Sequence, residues 1–125
     1  MGDKKIILSI DDNAVQHKIF ENILVPKYEV RSANSASSAM KYLNTDKADL
    51  ILLDIEMPNI TGFDFLYDIR KIPSYMEVPI IIVSGNTGQS FINQARASSA
   101  FDVLSKPVEK EVLAGTIEKA LASMA

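Results

Sequence analysis

Five side chains of this sequence could do chemistry together: the adjacent carboxylates of Asp11 and Asp12, the carboxylate of Asp54, the hydroxyl of Ser84 and the ammonium of Lys106. If they converge, three carboxylates in one cleft repel, each pair by roughly 4 kcal/mol at about 4 Å and an effective dielectric near 20. A divalent cation or protonation must relieve that charge. Hard oxygen donors with neither His nor Cys among them favour Mg²⁺, which takes one or two carboxylates and keeps waters until it meets a phosphate. Lys106 adds a compact positive charge, and Ser84 a hydroxyl able to bond an oxyanion. Two cations and a hydroxyl around a carboxylate suit a phosphoryl group better than a carbonyl substrate. No amine, thiol or His base stands ready for an acyl-transfer triad, so the carboxylate itself is the natural nucleophile, giving an aspartyl phosphate.

The elements that must position these groups are legible in the periodicity. Lys5 to Ile10 is a short apolar strand that runs into Asp11-Asp12-Asn13. Leu50 to Leu53 is a second, ended by Asp54, with Pro58 and Gly62 stopping its continuation; such unbroken apolar runs read as strands buried on both faces. Val78 to Val83 ends at Ser84-Gly85, with Pro79 expected at the strand's first position, where a missing amide proton costs least. Phe101 to Leu104 leads into Ser105-Lys106-Pro107. Tyr28 to Ser32 alternates as a strand with one more exposed face. Between the strands lie helical spacings. The first has Val15, Ile19 and Ile23 on one stripe with Phe20 and Leu24 beside it, is capped by Asp12 or Asn13 and ends at Val25-Pro26. His17 falls off that stripe and is expected to be exposed. Ala36, Ala39, Met40 and Leu43 mark a second helix; Phe65, Leu66, Ile69 and Ile72 a third, closed by Pro73. Residues 87 to 98 form a weakly amphipathic fourth helix. In the last, Val112, Leu113, Thr116, Ile117, Ala120, Leu121 and Met124 fill one side.

Five strands alternating with five helices predict an α/β fold with a doubly wound five-stranded parallel sheet, because right-handed crossovers place helices on both faces. In such sheets the working groups gather at the carboxyl ends of the strands, beside the point where strand order reverses. Under the flavodoxin-like order 2-1-3-4-5, the four strands that end in polar groups are neighbours.

Composition narrows the class. With 47% hydrophobic and 23% charged residues, the 125-residue chain is expected to be one soluble domain. A net charge of −3 offers no clustered positive surface for direct nucleic-acid binding. The absence of cysteine excludes disulfides, thiolate metal sites and thiol chemistry. No apolar run approaches bilayer length, and the expected location is cytoplasmic, without membrane contact.

The motifs IDDN, LLDIEMPNITG, IIIVSG and LSKP occur in that order, each after a strand, and together they resemble the receiver domain of two-component response regulators. The resemblance covers essentially the whole chain, residues 1–125, and implies a CheY-like single domain. By position it implies that Asp54 is the phosphoacceptor. It implies that Asp12 and Asp54 ligate Mg²⁺ directly with the main-chain carbonyl of Glu56, and that Asp11 contributes mainly through bound water. Ser84 takes the switch hydroxyl position and Lys106 that of the phosphate-contacting lysine, with Lys106-Pro107 usually a cis bond. Glu56 and Asn86 correspond to side chains that border the site and influence phosphoryl lifetime. The resemblance further implies a phosphoacceptor switch, not an enzyme for other substrates, although it can catalyse its own phosphorylation and dephosphorylation. The implied partners are a sensor histidine kinase or histidine phosphotransfer protein, and a downstream protein target or an output domain missing from this chain. Activation would change the surface around the fourth helix, fifth strand and fifth helix.

One position departs from the pattern. Receivers commonly carry Tyr or Phe three residues before the lysine, where this chain has Val103; Phe101 lies roughly 6.6 Å further back along an extended strand and should not fill that slot. A branched aliphatic residue cannot report the switch by ring rotation. Two alternatives therefore stand beside the phosphoacceptor reading: a degenerate receiver acting as an unphosphorylated interaction module, and an aspartyl-phosphate phosphatase, which Asp54-Ile55-Glu56 faintly echoes.

Overall fold

Runs of Leu, Ile and Val with no polar alternation can be stable only where both faces are covered, and that demand shapes the whole chain. A computed structural model describes residues 4–25, 27–55, 62–85 and 88–123. The strands are β1 (Ile6–Ile10), β2 (Glu29–Ala33), β3 (Leu50–Asp54), β4 (Ile80–Ser84) and β5 (Asp102–Ser105). The helices are α1 (Ala14–Leu24), α2 (Ala36–Thr45), α3 (Gly62–Arg70), α4 (Gln89–Ala97) and α5 (Lys110–Ala122), with a 3-10 turn at Pro73–Tyr75. All strand pairs are parallel, in the order β2-β1-β3-β4-β5. The doubly wound sheet is thus the one expected, with β3 and β4 buried along their full length and the edge strands β2 and β5 partly exposed.

Strand alternation divides the core in two. Ile7, Leu50, Leu52, Ile81 and Val83 pack with Phe20 and Leu24 of α1 and with Leu113, Ile117 and Ala120 of α5. Leu8, Ile10, Ile51, Leu53, Ile80 and Ile82 pack on the other face with Ala39 and Leu43 of α2, Phe65, Leu66 and Ile69 of α3, and Ala95 of α4. At the amino ends of the strands, polar side chains satisfy loop backbone. Tyr75 Oη donates to the Asp46 carbonyl at 2.6 Å and accepts from Ala48 N at 3.1 Å, and Arg70 donates to the carbonyls of Tyr75, Val78 and Ser99.

Several boundaries move for identifiable reasons. β4 begins one residue after Pro79, whose carbonyl accepts from Ile51 N at 3.0 Å while its ring nitrogen has no proton to give. α3 stops at Arg70 because Ile72, as the residue before Pro73, is pushed to extended backbone (φ −80°, ψ 118°). Asn13, rather than Asp12, caps α1, its side chain accepting from Val15 N and Gln16 N. Pro26, Pro58 and Met124 lie outside the described residues.

Two helical faces turn differently from the expected stripes. On α1, Phe20 and Leu24 are buried whereas Val15 is 66% and Ile19 44% exposed, so the buried face is centred about 100° away from the expected one. The aromatic ring offers more apolar area than a valine, and its face takes the core. On α5, Val112 is 47% exposed while Leu113 is fully buried. Leu113→Ala should therefore lower stability by about 2–5 kcal/mol, and Val112→Ala by no more than about 0.5 kcal/mol. Urea unfolding of the two variants checks the difference.

Candidate functional site

The site is assembled from three neighbouring strand ends and one loop beyond β5. The end of β1 delivers Asp11, whose N–H donates to the Ala33 carbonyl at 3.0 Å, continuing the ladder to β2. Asp11 Oδ1 then accepts from Asn13 N at 2.9 Å, a side-chain turn that sends the chain into α1. β3 ends on Asp54, paired with Val83 of β4. Ser84 closes β4 one step further, opposite Ser105, and its carbonyl accepts from Lys106 N at 2.8 Å. The Lys106–Pro107 bond is cis.

These connections bring the predicted groups together. Carboxylate oxygens of Asp11, Asp12 and Asp54 lie within 4.8 Å of one another. Lys106 Nζ donates to Asp11 Oδ2 at 3.1 Å and lies 3.4 Å from Asp54 Oδ2. Asp11, Asp54 and Ser84 are buried, Lys106 is partly so, and Asp12 is open to solvent. Val103 stands apart from the cluster, opposite Ile82 and packed against the core beneath α4. Phe101 enters β5 from the opposite end and is 41% exposed, so it does not fill the aromatic slot. Glu56 and Asn86 lie outside the described residues.

The electrostatics leave the cluster short of positive charge. Burial alone pulls the Lys106 ammonium downward, but the hydrogen bond with Asp11 and the charges of Asp11 and Asp54 outweigh it, and its pKa is raised above the ordinary lysine value. At an effective dielectric near 20 each of the two Lys106 contacts is worth about 5 kcal/mol, but one ammonium faces three carboxylates. Desolvation of the two buried carboxylates weighs against the cluster as well. Two buried oxygen donors, a third reached from solvent, and no nitrogen or sulfur ligand match what a small hard divalent cation requires.

One residue of this region escaped the sequence reading. His17 is not an exposed helix residue: its ring is partly buried, with Nδ1 3.0 Å from Ser9 Oγ and Nε2 2.6 Å from the Asp11 carbonyl oxygen. The signal lay in its spacing, three and seven residues before Phe20 and Leu24, which places it on their face.

The family model described as response regulator receiver domain matches residues 7–118. The chain is 37% identical over 122 residues to the 3′,5′-cyclic-nucleotide phosphodiesterase regA of Dictyostelium discoideum, covering 94% of this chain and 15% of that protein. It is 30% identical over 122 residues to the two-component response regulator ARR17 of Arabidopsis thaliana, covering 87% of this chain and 80% of the relative. The solved structure of the Vibrio cholerae chemotaxis protein CheY4 is similar with a TM-score of 0.87 at 26% identity, covering 94% of this chain and 99% of that one. No helix among the described residues is long and apolar enough to cross a membrane.

Two outcomes follow from the charge balance. Asp12→Asn removes one of three like charges, so in a chelator it should melt about 3–5 °C above wild type, an advantage that disappears in saturating Mg²⁺; paired thermal melts read both. Lys106→Met should be less stable than wild type by a constant amount across neutral pH. Because the folded-state lysine pKa is raised, that difference shrinks only as pH climbs past the unfolded value of about 10.4 and through the folded one, which denaturant titrations at stepped pH would follow.

Proposed function

The chain belongs to the response regulator receiver domain family, and on that premise we propose that it is a phosphorylation-dependent switch of a two-component phosphorelay, with Asp54 as the phosphoacceptor. One observation carries this reading: three carboxylates gather within 4.8 Å at the strand ends while Lys106 bridges two of them. Asp54 supplies a carboxylate oxygen that attacks phosphorus. The new O–P bond forms as the bond to the leaving group breaks, and the electron pair departs with that group, so Asp54 needs no general base. Lys106 remains cationic at neutral pH and meets the incoming phosphoryl oxygens, while the Ser84 hydroxyl donates to one of them.

Asp12 and Asp54, with the main-chain carbonyl of Glu56, would hold Mg²⁺ directly, and Asp11 through water. Bound there, the ion would supply the positive charge that the cluster lacks against a dianionic phosphoryl group. Glu56 and Asn86 would border the site and set how fast the phosphoryl group is lost, a self-catalysed step and not turnover of an external substrate.

Ser84 then couples the modification to the surface. Drawing its hydroxyl toward the phosphoryl group moves the loop after β4 and biases the face of α4, β5 and α5. Val103 packs beside Ile82, so this coupling runs through aliphatic packing and not through a rotating ring. Reversing the two states from 1:99 to 99:1 needs about 5.5 kcal/mol of differential binding. The phosphoryl donor would be a sensor histidine kinase or a histidine phosphotransfer protein, and the reader a downstream protein or an output domain.

Treatment with acetyl phosphate and Mg²⁺, read by intact mass, should add a single phosphoryl group to wild type and none to Asp54→Asn. Equal labelling of the two, or no adduct on either, would rule out Asp54 as acceptor.

A further inference from the structure

His17 is the single histidine of the chain, and the chemistry proposed for the site makes no use of it. Both of its ring nitrogens are nevertheless engaged at the end of β1. Nδ1 stands 3.0 Å from the hydroxyl of Ser9, a residue only 1% exposed, and Nε2 2.6 Å from the carbonyl oxygen of Asp11. A carbonyl can only accept, so Nε2 carries a proton. In the neutral ring, Nδ1 is then left to accept from the Ser9 hydroxyl. A histidine held this way acts as a rigid strut between the second turn of α1 and the loop beneath it.

The carbonyl that His17 grips belongs to the peptide joining Asp11 to Asp12, and the other groups of Asp11 are separately tethered. Its N–H donates to Ala33 O at 3.0 Å, and its carboxylate accepts from Asn13 N at 2.9 Å and from Lys106 Nζ at 3.1 Å. The orientation of that peptide plane sets where Asp12 points. Asp12 is exposed, and repulsion from two like charges would turn it toward solvent. We propose that His17 is a positioning residue for Asp12: by donating Nε2–H to the Asp11 carbonyl, it locks the Asp11–Asp12 peptide and holds the Asp12 carboxylate toward Asp54. This inference rests on reading the three carboxylates as a divalent-cation site.

Calorimetric titration of Mg²⁺ into wild type, His17→Leu, His17→Gln and Ser9→Ala tests it. Leucine matches the volume without the N–H and should weaken Mg²⁺ binding about tenfold or more, the scale for groups that orient a metal ligand. Glutamine offers an amide N–H and should recover most of the loss, whereas Ser9→Ala removes only the partner of Nδ1 and should weaken binding less than His17→Leu does. If wild type binds Mg²⁺ and His17→Leu binds it equally well, the positioning role is wrong and the cation site stands. If wild type binds none, the cation site fails and this inference with it. A measurement on wild type alone covers the case in which His17→Leu does not fold. The lone imidazole should give the nitrogen resonances of an Nε2–H tautomer, and an Nδ1–H tautomer would overturn the role.

Discussion

The ammonium of Lys106, 3.1 Å from Asp11 and 3.4 Å from Asp54, is what allows two buried carboxylates to share the rim of a core from which water is excluded. Without a fixed cation, two such groups would hydrate or neutralise instead of facing one another. The lysine is itself held, because its backbone N–H donates to the carbonyl of Ser84 at 2.8 Å. The same residue therefore ties β4 to the loop beyond β5 and balances charge on β1 and β3. Asp12 brings more negative charge than one ammonium can answer, and this excess makes the cluster receptive to a hard cation and to the chemistry a cation enables.

That arrangement depends on strand register. In a sheet covered on both faces, a slip by one residue would exchange the two cores and carry Asp54 to the wrong side. The pairings Leu53 with Ile10 and with Ile82, and Asp54 with Val83, prevent it, because Ile7, Leu8, Leu50, Ile51, Leu52, Ile80 and Ile81 beneath them already have their places in one core or the other. The precise placement of the carboxylates at the strand ends is thus a consequence of packing several residues below. The edge strands tolerate exposure and carry no carboxylate of the cluster.

Helix α1 shows how chemistry and packing share one surface. Its two candidate apolar stripes differ by about one residue's rotation. Burial of Phe20 and Leu24 selects the rotation that also brings His17 under the helix and against the Asp11 carbonyl. The helix is thereby fastened to the acidic loop at both its cap, through Asn13, and its second turn, through His17.

The amino-acid sequence determined the order and type of the elements, because unbroken aliphatic runs can only be doubly covered strands and the crossovers between them have one hand. It also determined which strand ends are polar, and hence that Asp11, Asp12, Asp54, Ser84 and Lys106 belong to one rim. What it left open were choices between near-equal local solutions. Asp12 and Asn13 are both competent caps, Val15 and Phe20 both lead apolar stripes, and Val112 and Leu113 adjoin on one helix. Only the tertiary structure decided these, since each depends on the area and hydrogen-bond partners that a neighbouring element presents, and those neighbours lie far away along the chain. The distances at the rim belong to the same class: they are set by how strands pair and pack, a property that no single segment contains.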